Sequence, residues 1–198
     1  GLVGWEDGDQ GAASPLVRIR GPPVFLPFMN EAIELIPGAE DADVVFICDH
    51  ASNHVPPEYG DLGLTRSQFD RHIAWDIGAA AATRRLAARF RSPAVLTRFS
   101  RLVIDANRGG DDPTLVMRIS DGAIIPGNAK ADEAEIERRR ARFWRPYREA
   151  VGRTLDSMLA GGRTPAIVSL HSFTPVWKGF QRPWHMAVLW DSDDRIAR

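Results

Sequence analysis

Two apolar runs, VVFICDH (residues 44–50) and AIVSLHS (166–172), each reach a histidine just before a polar turn. Both have the composition of strands buried on two faces. In open α/β sheets, ligands collect at the carboxyl ends of strands, where loops and helix starts converge. His50 and His171, far apart in sequence, are therefore expected close together in space. A third group stands in HIAWDIGAA, where Asp76 precedes the alanine-rich run IGAAAATRRLAARF and is placed as a helix N-cap. A βα unit brings a helix start to the same sheet edge, so this carboxylate is within reach of an ion held by both histidines. Two imidazoles and one carboxylate leave a fourth position open on Zn²⁺, the make-up of a hydrolytic site. Each residue also has a plainer reading: a strand-end histidine satisfied by hydrogen bonds, and Asp76 as a cap and nothing more.

The remaining candidates divide by context. His54 forms an HxxxH pair with His50, but Asn53 and Pro56-Pro57 flank it and argue against the helix such a pair needs. It is read as supporting the site or facing substrate. His72, four residues before Asp76, is a rival ligand or a hydrogen-bonding support, and His185 opens an apolar run at the far end of a strand. In SRLVIDANRGG, Arg101 and Arg108 bracket an apolar stretch read as a strand, with Asn107-Arg108 at its carboxyl end. A guanidinium there binds a carboxylate in a two-pronged pair; a surface arginine paired with a nearby aspartate is the alternative.

The elements that must position these residues follow from periodicity. VVFICDH is expected as a central strand, PAIVSLHSF as a second buried one and HMAVLWD as a third, with PAVLTRFS and RLVIDANR giving one or two more. VRIRGPPVFL reads as a short edge strand, since Pro22-Pro23 bars helix. Residues 131–160 form the clearest helix: its start is acidic, Ile136, Phe143, Tyr147, Val151, Leu155 and Leu159 recur at helical spacing, and Pro146 is placed to kink it. Residues 109–130 are expected as a long surface loop with a turn at IIPGN. Strands alternating with helices imply an α/β fold with a largely parallel sheet.

The chain has 198 residues, 44% hydrophobic and 26% charged, and its 25 basic and 26 acidic side chains leave a formal net charge of −1. Nothing in that balance draws it to nucleic acid or an anionic membrane. Its one cysteine, Cys48, excludes an internal disulfide and a cysteine-rich zinc site, and is expected as a buried hydrophobe. Residues 1–15 read as a disordered tail without signal-peptide character, and 16–198 as one catalytic domain in a cytoplasmic setting. Among the six tryptophans, Trp177 and Trp184 flank KGFQRP and suggest either an aromatic loop over the pocket or part of the core.

The combination DHASNHVP, HIAWDIGA, SRLVIDANR and SLHSFTP resembles the N-formylglutamate amidohydrolase family, zinc carboxypeptidase-like hydrolases, from about residue 42 to 195. The resemblance implies a three-layer α/β/α fold with a mixed, mostly parallel central sheet, phosphorylase/hydrolase-like, which refines the largely parallel expectation. It implies zinc, or another divalent ion, on His50, Asp76 and His171; the carboxypeptidase-type position three residues after the first histidine is Asn53, a poorer ligand. By similarity, Asn107 and Arg108 are expected to bind the substrate carboxylate; His54 and Ser172 are expected on the substrate from their places beside the two histidine turns. For the reaction so implied, Arg101 is the group expected to stabilise the oxyanion. The implied substrate is a small acidic N-acyl amino acid, N-formylglutamate, cleaved to formate and glutamate in histidine degradation, with no nucleic-acid or membrane partner.

The resemblance also implies a later strand–helix segment, usual in the family, with a glutamate suited as general base, whereas the sequence given ends at DSDDRIAR. The expectation is a domain lacking that segment, with Glu58 or Asp191 as substitute bases. Two alternatives stand beside the leading one: a zinc amidase or peptidase of the same fold acting on another amide, and a degenerate module that binds an acidic ligand without turnover.

Overall fold

The computed structural model describes residues 28–193 and residue 195. The expected tail at 1–15 and the edge strand at 17–26 lie outside the described residues. The central sheet is built from β1 (Phe28–Met29), β2 (Ile33–Ile36), β3 (Val44–Cys48), β4 (Ala94–Thr97) and β7 (Ala166–Ser169), in the order β1-β2-β4-β3-β7. β3 runs parallel to both β4 and β7, while β2 is antiparallel to β4 and to β1. A short hairpin joins β5 (Ile119–Ser120) to β6 (Ala123–Ile124), and another joins β8 (Val176–Trp177) to β9 (Phe180–Gln181).

Alternation along the strands assigns the layers. Phe46 and Cys48 of β3, with Ala94 and Leu96 of β4, face α2 (Ala79–Phe90), whose Ala79, Ala80 and Ala87 recur at helical spacing. Small side chains let that helix lie close on the sheet. Val45, Ile47 and Val95 point the other way, where Tyr147, Ala150 and Met158 of α4 (Arg145–Ala160) close the second face. The result is the expected three-layer α/β/α arrangement around a mixed sheet. α1 (Arg66–Phe69) is a single turn in the loop that follows β3. No helix among the described residues is long and apolar enough to cross a membrane.

Several expected elements change. VVFIC is the buried central strand, but among the described residues AIVS pairs only with β3 and is outermost in this sheet; Ile167 is 50% exposed. RLVIDANR is no strand. Leu102, Val103 and Ile104 are fully buried in a turn, with Leu102 packed in one apolar cluster and its two neighbours in another. Burial from all sides produced an apolar run that imitates a strand. HMAVLWD also stays out of the sheet, and Met186, Val188, Leu189 and Trp190 are exposed.

The helix expected at 131–160 is split into α3 (Glu133–Arg139) and α4, joined through a wide turn at Arg140–Trp144 where the Arg145 N–H reaches back five residues to Arg140. Pro146, lacking an N–H, follows directly, so the kink takes the form of a π-type turn. Leu159 is exposed and Met158 is buried instead. At 3.6 residues per turn, position 158 lies about 20° from Tyr147 around the helix and 159 about 120°. The stretch 109–130 is not wholly superficial either: Leu115, Met117 and Ile125 are buried, and the Asn128 side-chain amide donates to the carbonyls of Leu102 and Met117.

Candidate metal centre

β3 delivers Asp49 and His50 to the sheet edge, and the end of β4 pins them there. Thr97 Oγ1 donates to the Asp49 carbonyl at 2.9 Å and accepts from the Ala51 N–H at 3.1 Å. The His50 carbonyl in turn accepts from the Asp76 N–H at 3.0 Å, drawing the 70–76 loop across the same edge. Ser100 ties down the loop from below, its hydroxyl donating to the Ala74 carbonyl at 2.8 Å. Asp76 is not the N-cap. Gly78 is, in a left-handed conformation (φ 85°), and α2 starts at Ala79. That glycine turn frees the Asp76 carboxylate to face the histidines.

His50 Nδ1 lies 3.4 Å and His171 Nδ1 2.8 Å from the same oxygen, Asp76 Oδ2, and the two imidazole rings are 5.1 Å apart. One ligand atom from each of the three residues falls within 4.8 Å of the others. Each imidazole is also backed on its outer nitrogen by a second carboxylate. His50 Nε2 is 2.7 Å from Asp105 Oδ1, and His171 Nε2 is 3.3 Å from Asp49 Oδ2. Carboxylates behind ligating histidines fix the tautomer and aim the inner nitrogen.

Arg101 completes the cluster. Its Nη2 donates to Asp105 Oδ2 at 2.8 Å, its Nη1 is 3.7 Å from Asp76 Oδ1, and its Nε is buried without a partner among the described residues. Asp49, Asp76 and Asp105 against one guanidinium leave two negative charges when the imidazoles are neutral. A divalent ion balances that set, and so do two imidazole protons. The donor set fits such an ion.

Electrostatics follow the same geometry. His171 is raised to about 9 by its contacts with Asp49 and Asp76. Burial alone would lower His50, but the carboxylates of Asp105 and Asp76 overcome it and raise the group. Burial would likewise raise Asp76, Asp49 and Asp105; hydrogen bonds from the histidines, joined at Asp49 by Tyr147 and Ser169, hold all three below the usual carboxylate range. Cys48 is fully buried and pushed up to about 12 by burial, which leaves it a packing residue.

The other expected residues spread around this centre. Ser172 meets it through its backbone N–H, 3.4 Å from Asp76 Oδ2. The Asn107 N–H donates to Asp105 Oδ1, and the half-exposed Arg108 lies 4.0 Å from Asp105 and 3.7 Å from Asp112. His54 is exposed and lines a separate cavity of about 790 Å³ with Glu34, Arg84, Arg98 and Arg142. Glu58 is ion-paired with Arg142, which also grips Glu31, so the base expected there is committed to another contact. His72 turns to Asp121 at 3.3 Å rather than to the cluster, and the Asn53 amide donates to the Phe69 carbonyl. His185 and Asp191 are exposed and outside any strand. Trp177 and Trp184 are also exposed, not core, and Trp177 stacks with Lys178 and Arg182.

Asp49 and Asp105 went unassigned from sequence. The signal for Asp105 was present: an acid flanked by Ile104 and Ala106 in an apolar run must find a buried partner.

The chain matches the profile of the N-formylglutamate amidohydrolase family over residues 42–197. Among solved structures, it is similar to a gene product of Agrobacterium tumefaciens (TM-score 0.81, 38% identity), over 85% of this chain and 67% of that one. It shares its fold with the N-formylglutamate amidohydrolase from Ralstonia eutropha (TM-score 0.56, 23% identity), over 73% of this chain and 58% of that one. No curated protein matches the chain. With most of its length inside the family profile, the chain belongs to the N-formylglutamate amidohydrolase family.

Proposed function

We propose that this protein hydrolyses N-formylglutamate to formate and glutamate, with a divalent ion, zinc in the first instance, held by His50, Asp76 and His171. The observation that carries this reading is the convergence of both Nδ1 atoms on Asp76 Oδ2, each imidazole backed by its own carboxylate. Family membership supplies the reaction class. When bound, such an ion polarises the formyl oxygen and makes water a competent nucleophile at neutral pH.

The protein's own groups do the rest. Arg108 is half exposed and only loosely held, so its guanidinium is available to an incoming carboxylate. Asp105 links it to His50, so a substrate anchored on Arg108 is fixed relative to the ligands. Arg101, whose Nη1 lies 3.7 Å from Asp76 Oδ1, sets positive charge beside the cluster and stabilises negative charge developing on the amide oxygen. Asn107 and Ser172 are assigned to the rim that receives the rest of the substrate, while His54, in its separate cavity, takes no part in it.

Formate release from N-formylglutamate by the zinc-loaded protein tests the reading, with N-acetylglutamate and N-formyl amino acids lacking a side-chain carboxylate as comparisons. Preferred turnover of N-formylglutamate, abolished in His171→Ala together with bound zinc, is expected. Equal cleavage of all the amides would remove the substrate assignment, and full activity in His171→Ala would remove the site.

A further inference from the structure

The two imidazoles are not held alike. His50 follows the central strand, is 2% exposed and rests against the fully buried Asp105. His171 follows β7, the outermost strand of this sheet, and its side chain is 35% exposed. What restrains it is a carboxylate borrowed from β3. Asp49 Oδ2 lies 3.3 Å from His171 Nε2 and accepts from the Ser169 hydroxyl at 3.0 Å, while that hydroxyl is itself 3.1 Å from His171 Nε2. Asp49 Oδ1 accepts from the Tyr147 hydroxyl at 2.6 Å. Tyr147 comes from α4 and is 1% exposed. One carboxylate thus joins the central strand, the edge strand and a covering helix at a single point.

Stability alone does not call for this. A buried carboxylate and phenol lose their hydration, and an apolar pair of the same volume packs as well. The hydroxyl at 147 therefore serves the carboxylate, and the carboxylate serves the histidine.

We infer that Tyr147 and Ser169 are positioning residues which, acting through Asp49, keep His171 Nδ1 aimed at Asp76 and thereby set the affinity of the site for a divalent ion. The inference rests on the metal site proposed above. With Nε2–H directed at Ser169 and Asp49, the Nδ1 lone pair is left facing the cluster. Removing the tyrosine hydroxyl leaves Asp49 free to turn, and the ring on the open strand turns with it.

The test measures Zn²⁺ affinity by chelator competition, with the visible spectrum of the Co²⁺-loaded protein as a second readout. Tyr147→Phe keeps the ring in the core and is expected to bind Zn²⁺ about ten-fold more weakly, with an altered Co²⁺ spectrum. Ser169→Ala is expected to weaken binding in the same direction. Met158→Ala, on the same helix but packed against Ala42 and Val45, serves as the stability control: it should lower the melting temperature and bind Zn²⁺ like the parent. Parent-like affinity and spectrum in both Tyr147→Phe and Ser169→Ala would overturn the inference, as would an equal loss in Met158→Ala. His50→Ala separates the two levels. If it abolishes binding while Tyr147→Phe and Ser169→Ala both keep parent-like affinity, only the positioning role falls; if it binds as the parent does, the metal site falls and the positioning role with it.

Discussion

Each histidine at the sheet edge stands between two carboxylates, and this sandwich governs its protonation. His171 is raised to about 9 by Asp49 and Asp76, so without metal its imidazole carries a proton at neutral pH. Its unfolded reference lies near ~6.5. The sign follows: the stabilisation from these contacts is fully present below ~6.5 and is lost as pH rises through about 9. A metal ion needs the lone pair that the proton occupies, so metal and proton compete. Zinc uptake at pH 7 is therefore expected to release at least one proton, with affinity rising towards pH 9 and then levelling. Calorimetry in buffers of different ionisation enthalpy counts that proton; no release at pH 7 would contradict the assignment. At this scale sequence revealed the inner residues, because histidines at strand ends and an aspartate before a helix are visible in one dimension. Of the outer residues, Asp105 shows itself only as an acid inside an apolar run, while Asp49, Tyr147 and Ser169 act through contacts between distant segments and leave no spacing to read.

Elements set the direction in which those side chains face. The two-residue step from Asp76 to Gly78 separates the carboxylate of the cluster from the helix cap, and it depends on a backbone angle that disfavours L side chains. A Cβ at position 78 meets nothing within 4 Å, so the cost of adding one is conformational. Gly78→Ala is expected to destabilise the metal-free protein by about 1 kcal/mol, measured by urea denaturation; unchanged stability would mean the turn tolerates alanine and that its left-handed angle is not required. VVFIC and the alanine-rich helix were legible because their periodicity matches the packing they make. RLVIDANR misled because a buried turn and a buried strand have the same composition, and only pairing partners tell them apart. HMAVLWD failed for the related reason that apolarity alone does not make a strand without a ladder to join.

At the scale of the whole molecule, the sheet collects residues from across the chain at one edge: His50 after β3, Asp76 before α2, Asp105 from the buried turn and His171 after β7. Four separated motifs carry the resemblance to this family, and the family profile over residues 42–197 agrees with them. The mixed sheet was harder to read, since neither β1 nor β2 announces its antiparallel partner in the sequence. The central claim is that His50, Asp76 and His171 share one divalent ion, and anomalous diffraction at the zinc edge from crystals soaked in Zn²⁺ tests it most directly. The predicted result is a single strong peak about 2 Å from His50 Nδ1, His171 Nδ1 and an Asp76 oxygen. A peak bound by other residues, or no peak among these three, would contradict it.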